Sequence, residues 1–361
     1  MNRRHFLRTT AAASAGLALP GAVSRAFAGS PSDPWRVFEV TTRVEVLKPV
    51  GVTRVWLPTP LVRDVKYQKA LGNAWNADGG NAGLAVDPAY GAGYVWAEFP
   101  DGVRPVLTHT ARFATRDVAV DLSRPGKAKA EDSAVLARYT AASELMPIDG
   151  AVKELSSRIV AGKHGDLEKA RAIYDWMVDN TERNPKTRGC GTGDVRFMVE
   201  NKAYTGKCAD LNALFVALAR AEGIPARDVY GVRVAGSALG YNSLGKSGGD
   251  ITKAQHCRAE FYLPTHGWVP VDPADVRKVI LEEGGGKAPN DPMVLAARKR
   301  LFGSWEMNWL GYNYAHDLAL PGSTRGTVPF LMYPQSETAA GRLDSLDPDN
   351  FKYSIAAREI V

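Results

Sequence analysis

Gly206-Lys207-Cys208-Ala209-Asp210-Leu211-Asn212 is the stretch on which the reading of this chain turns. Leu211, Leu214, Phe215 and Leu218 recur behind it at helical spacing, and Gly223 with Pro225 closes the run. The pattern predicts a helix that opens near Lys207 with a cysteine in its first turn. Unpaired N–H groups and the positive end of the helix dipole acidify a thiol placed there. A cysteine in a core helix is ordinarily a small buried residue, but the rest of the apolar stripe begins only at Leu211, so Cys208 stands at its mouth. Gly206 just before it lets the backbone approach a ligand closely. These features favour Cys208 as a nucleophile.

Two isolated polar residues downstream supply what a thiol nucleophile needs. His256, in Ala254-Gln255-His256-Cys257-Arg258, sits on a strand-like segment. Alternation there places His256, Arg258 and Glu260 on one face and Cys257, Ala259 and Phe261 on the other. Asp272 ends Gly267-Trp268-Val269-Pro270-Val271-Asp272 and is followed by proline. A histidine can take the thiol proton, and a carboxylate can fix the imidazole tautomer and stabilise the imidazolium. Asp275 is close enough in sequence to compete for that last role. Cys208, His256 and Asp272 are also zinc-ligating types, but the chain has no Cys-x-x-Cys or His-Glu-x-x-His spacing, and no metal is expected. Residues 188–193 imitate a phosphate loop but follow a helical segment ending in Asn184-Pro185, so neither a nucleotide nor any other cofactor is expected.

The chain opens on a charged start with twin arginines, Arg3-Arg4-His5-Phe6-Leu7-Arg8, then a mildly apolar run over 9–23 and a small-x-small site, Ala26-Phe27-Ala28. This is expected to be a twin-arginine signal peptide over 1–28, giving a periplasmic or secreted protein. The run is shorter than the ~20 residues a membrane span needs, and no later segment is long and apolar enough to serve as one. Of 45 basic residues against 39 acidic, Arg3, Arg4, Arg8 and Arg25 leave with the signal, so the mature balance is 41 − 39 = +2. Neither nucleic acid nor an anionic membrane is indicated as a partner. Export also favours disulfides. If Cys208 must stay free, Cys190 and Cys257 are the pair left to form one.

Between Trp35 and Ser123 the chain reads as β. Phe38, Val40, Thr42, Val44 and Val46 alternate against Glu39, Thr41, Arg43 and Glu45, and further strands are expected at 54–57, 94–99, 106–114 and 118–122. The Gly/Asn/Asp-rich stretch 72–83 is expected to be a loop. Helices are expected over 151–160, after a cap at Asp166, from Lys207, and over 291–301. Strand-like pieces return at 229–234, 330–333 and 351–355. The expected order is therefore a signal peptide (1–28), a β-sandwich-like domain (30–124), a linker (125–150), an α+β catalytic domain (151–283) and a C-terminal extension packing on the core (284–361).

From Lys169 to Lys278 the sequence resembles the catalytic domain of the bacterial transglutaminase-like superfamily. Gly206-Lys207-Cys208, His256 and Asp272 meet its pattern of a Gly-x-Cys helix start, a strand histidine and a strand-end aspartate. The phrases at 212–220, 223–227 and 267–272 are similar to those that flank them in the family. Residues 305–321, with Asn308-Trp309 and His316-Asp317, resemble the C-terminal extension of bacterial members, where His316 would be structural or substrate-facing. The resemblance implies a papain-like α+β core, with the cysteine helix packed on an antiparallel sheet carrying histidine and aspartate. It also implies a Cys208–His256–Asp272 triad acting through a thioester on a protein or peptide substrate. A non-catalytic module of the same fold, holding an envelope peptide or polymer, is the alternative.

Overall fold

The computed structural model describes residues 34–246 and 248–360. The expected signal peptide lies outside the described residues.

Alternation organises the first part of the chain. Strand β1 (Arg36–Val46) buries Phe38, Val40, Val44 and Val46 while Arg43 faces water. It is followed by β2 (Thr53–Pro58), β3 (Gln68–Asn76), β4 (Asn81–Val86), β5 (Gly93–Phe99) and β6 (Val106–Thr115). β6 pairs antiparallel with β1 on one side and β3 on the other, while β5 pairs with β2 and β4. The two sheets bury Val44, Val55, Leu57, Val95, Phe99 and Leu107 between them, which is a sandwich core. The stretch 72–83 is not a loop. It supplies much of β3 and β4, joined by a tight turn. Both are edge strands whose side chains are mostly exposed, so backbone pairing holds them without an apolar alternation for the sequence to display.

The middle of the chain is α+β. Helices α1 (Ser133–Arg138), α2 (Gly150–Ile159), α3 (Gly165–Asn180), α4 (Val195–Glu200) and α5 (Cys208–Ala221) lead into β7 (Ala226–Arg233). α3 buries Ala170, Ile173, Tyr174 and Met177 on one stripe. Its cap position is His164, and Asp166 lies inside the first turn, where its charge suits the positive end of the dipole. Every residue of α5 is buried, as expected of a helix that is apolar nearly all round. Burying Leu214 and Phe215 contributes roughly 1.5–3 kcal/mol each. Then follow β8 (Arg258–Leu263), β9 (Gly267–Val271), α6 (Pro273–Glu282), α7 (Pro292–Arg300) and β10 (Trp309–Asn313). The sheet runs β9-β8-β7-β10, all antiparallel, with α5 packed against β7 and β8.

The last strands return to the start of the chain. β11 (Gln335–Thr338) pairs with β2 and with β12 (Gly341–Arg342), giving the order β12-β11-β2-β5-β4. β13 (Phe351–Glu359) pairs along β1, Phe351 opposite Val46, giving β13-β1-β6-β3. Residues 330–333 form no strand. Phe330 stacks on Tyr230 at 4.9 Å, so these apolar residues are buried by packing without a ladder. β13 also binds the long β7–β8 loop, with Ile251 N–H donating to Ile355 C=O (2.8 Å) and Ala357 N–H to Gly249 C=O (2.8 Å).

Candidate active site

Cys208 is the first residue of α5, and its backbone N–H has no acceptor among the described residues, as the geometry of a helix start requires. Asp210 organises this start. Its carboxylate accepts from the N–H groups of Lys207 (3.0 Å), Thr192 (2.9 Å) and Gly193 (3.0 Å), lashing the 186–193 loop across the helix mouth. A Cβ at Gly191 or Gly206 would fall on that carboxylate, and Gly191 adopts φ +96°. The glycine before the cysteine therefore makes room for Asp210, where the sequence suggested room for a ligand. Ala209 N–H donates to Cys190 C=O (2.9 Å), which holds Cys190 beside Cys208.

His256 lies two residues ahead of β8, not within it, and its N–H donates to Gly231 C=O on β7 (2.9 Å). The expected alternation persists: Cys257, Ala259 and Phe261 face the apolar core, and Glu260 turns away to pair with Arg227. Asp272 caps α6, its Oδ1 accepting from Asp275 N–H (3.0 Å), with Pro273 at the first helical position. Its Oδ2 lies 2.7 Å from His256 Nε2, and Asp275 Oδ2 lies 3.4 Å from the same nitrogen. With Nε2 held by carboxylates, Nδ1 is left for the thiol, and the His256 imidazole is close enough to help lower the Cys208 pKa.

Three residues outside the expected set complete the network. Asn212, one turn below Cys208, donates to Cys257 C=O (2.9 Å) and Asp272 Oδ1 (3.3 Å), joining the cysteine helix to the other two elements. Arg233 donates to Asp275 (2.6 Å). Arg258 lies 3.8 Å from Asp272 and over the ring of Trp309, whose indole N–H braces His256 C=O (2.9 Å). Asn212 was detectable at i+4 from Cys208, on the same helix face. Arg233, on an unremarkable strand, carried no local signal. The ligand-type atoms of His256, Asp272 and Asp275 lie within 4.8 Å of one another, a spacing a metal accepts, but the two guanidiniums already match both carboxylates.

Electrostatics favour a thiolate–imidazolium pair. Hydrogen bonds from Cys190 and then Cys257 hold Cys208 well below the usual thiol range against the effect of burial, and His256 adds to them by hydrogen bond and charge. Cys190 is pushed well up by its hydrogen bond to Cys208 and by burial, and Cys257 by burial first. Burial and Arg233 pull His256 down, but Asp275 and Asp272 outweigh them and push it up to about 9. All three cysteines are free thiols, so the expected Cys190–Cys257 disulfide is not formed.

Cys208 and His256 line a cleft of about 650 Å³ together with Cys190, Tyr333 and residues of β13. His316 is not in it. It is buried behind β7, 3.3 Å from Asp228. Tyr204, just upstream of the helix start, packs edge-on against Trp176 and is absent from the cleft lining.

Residues 153–273 match the family model of the Transglutaminase-like superfamily, and residues 1–20 match the signal sequence of the TAT (twin-arginine translocation) pathway. The latter indicates export across the membrane. Among the described residues no helix is long and apolar enough to cross one. An uncharacterized protein of Haemophilus influenzae is 35% identical over 343 residues, covering 90% of this chain and 92% of that one. Among solved structures, a candidate cysteine protease from Cytophaga hutchinsonii is similar in fold over 90% of this chain and 98% of its own, with TM-score 0.51 at 16% identity. The periplasmic domain of TgpA from Pseudomonas aeruginosa covers 68% of this chain and 91% of that one, with TM-score 0.35 at 15% identity.

Proposed function

The chain belongs to the transglutaminase-like superfamily through its domain at residues 153–273, and on that premise we propose that it is an exported, cysteine-dependent amide acyl-transfer enzyme acting on a protein or peptide. Cys208 thiolate attacks the amide carbonyl carbon, and the oxyanion that forms is met by the free Cys208 N–H. As the C–N bond breaks, the imidazolium of His256 gives its Nδ1 proton to the leaving amine, leaving a Cys208 thioester. His256 then takes a proton from water, whose oxygen attacks the thioester; the acid departs and the thiolate–imidazolium pair is restored. Asp272 holds the ring and its charge throughout, with Asp275 as a second counter-ion. Water is the proposed acceptor of the acyl group.

The observation that carries this reading is the convergence, at one cleft, of an acidified thiol with an imidazole 2.7 Å from a buried carboxylate. The test is active-site labelling of the mature protein with iodoacetamide, followed by mass spectrometry for thioester adducts on candidate peptides. Cys208 is expected to label fastest of the three thiols near neutral pH, more slowly in His256→Ala, and Cys208→Ala is expected to lose all turnover while keeping its circular dichroism spectrum. Slow labelling that ignores His256 would point to the non-catalytic binding module, and full turnover in Cys208→Ala would end the proposal.

A further inference from the structure

The lining of the cleft is one-signed. Its 22 residues include three arginines and five lysines and no aspartate or glutamate. The whole chain carries 45 basic and 39 acidic residues, so the excess belongs to this surface and not to the protein at large. Four of the eight cations are matched by carboxylates outside the lining: Arg233 by Asp275 (2.6 Å), Arg188 by Asp344 (2.6 Å), Lys278 by Glu282 (3.7 Å), and Arg183 also by Glu282. Lys207, Lys246, Lys253 and Lys352 have no carboxylate within ion-pair distance among the described residues. Asp250 shares the β7–β8 loop with Lys246 and Lys253 and feels their charge, but its carboxylate is engaged by the N–H (2.9 Å) and hydroxyl (2.6 Å) of Thr252.

The kind of cation and its placement narrow the ligand. Arginine forks, which seize a phosphate with two parallel bonds, are here the groups already paired. What remains is four ammonium charges on three parts of the chain: Lys207 just before α5, Lys246 and Lys253 on the β7–β8 loop, and Lys352 on β13. An ammonium group is a point charge that imposes no fork geometry, and each of the four can meet its own carboxylate. They suit several carboxylates spaced along an extended chain. Tyr333, Leu346, Phe351 and Tyr353 give the cleft an apolar wall for the uncharged stretches between them. We infer that the substrate is an acidic peptide, bound extended, with carboxylates on both sides of the amide that Cys208 attacks. The inference rests on the thiol reading above and assigns its substrate class.

The test compares two alkylating reagents of opposite demand, anionic iodoacetate and neutral iodoacetamide, on the mature protein at low salt. The iodoacetate-to-iodoacetamide rate ratio at Cys208 is expected to exceed that of free cysteine in the same buffer. In the triple variant Lys246→Gln/Lys253→Gln/Lys352→Gln, three exposed positions, that ratio is expected to fall about threefold or more while the iodoacetamide rate stays the same. A synthetic peptide with glutamates flanking a central glutamine is expected to protect Cys208 at concentrations about tenfold lower than the same peptide with those glutamates replaced by glutamine. An unchanged ratio in the triple variant, equal protection by the two peptides, or protection by inorganic phosphate as good as that of the acidic peptide would overturn the inference while leaving the thiol reading intact. Failure of both reagents to label Cys208 would remove the thiol reading and this inference together.

Discussion

At the scale of single residues, the candidate site is a balance of charges kept out of water. Two carboxylates, two guanidiniums and an imidazole lie within one buried network, and each ionised member is sustained by its neighbours. This makes the pH dependence of acyl transfer a sharp expectation. The working form pairs a Cys208 thiolate with a protonated His256, so kcat/KM should rise through the depressed thiol pKa and fall as pH climbs through about 9, where His256 loses its proton. Asp272 raises the affinity of His256 for that proton, so Asp272→Asn should move the falling limb to lower pH. A pH–rate profile that keeps its alkaline limb in that variant would show that Asp275 alone holds the imidazole. Cys208 and His256 stood out in the sequence because each sits at a position that local pattern marks as exceptional. Asp275 was visible as a rival to Asp272, and it shares the histidine with it at 3.4 Å. The influence of Cys190 and Cys257 on the thiol pKa was not legible, since it depends on the 186–193 loop folding back across the helix mouth and on how the strand after Cys257 meets the helix.

At the scale of elements, the start of α5 depends on a carboxylate that fills the space of two glycines. Asp210 is largely buried, and burial raises its pKa against three backbone hydrogen bonds that lower it. Gly206→Ala would push that carboxylate aside, cost about 1–3 kcal/mol as an overpacked site, and slow alkylation of Cys208 by disturbing the turn that presents it. Gly72→Ala, where an added Cβ meets nothing within 4 Å, is the control and should leave both quantities unchanged. Urea denaturation and iodoacetamide kinetics on the two variants give the comparison. The helix itself was readable, to within a residue at its start, from spacing and from Gly223-Ile224-Pro225. Strands β3 and β4 were not, because edge strands with exposed side chains leave no hydrophobic period.

For the whole molecule, the return of the C-terminal strands to the first ones is the feature that matters most. β13 lies along β1 in one sandwich sheet and simultaneously forms a wall of the cleft, so the described residues at both ends of the chain bear on the site. Phe351 belongs to both, packed in the sandwich core and lining the cleft. Phe351→Ala should lower the free energy of unfolding by about 3–5 kcal/mol, a large part of the stability of a typical protein, and urea denaturation would measure it. A loss below about 1 kcal/mol would mean that the wall is not built as described.

By itself the sequence determined the periodic elements, the signal at the N-terminus and the three polar residues worth watching, because each of these is written in spacing and residue type over short distances. Only the tertiary structure decided which carboxylates share the histidine, which thiols face the nucleophile, and how strands more than 300 residues apart come to lie side by side. Those outcomes are set by long-range pairing and burial, whose free energy is distributed over many residues and leaves no mark in any one stretch of the chain.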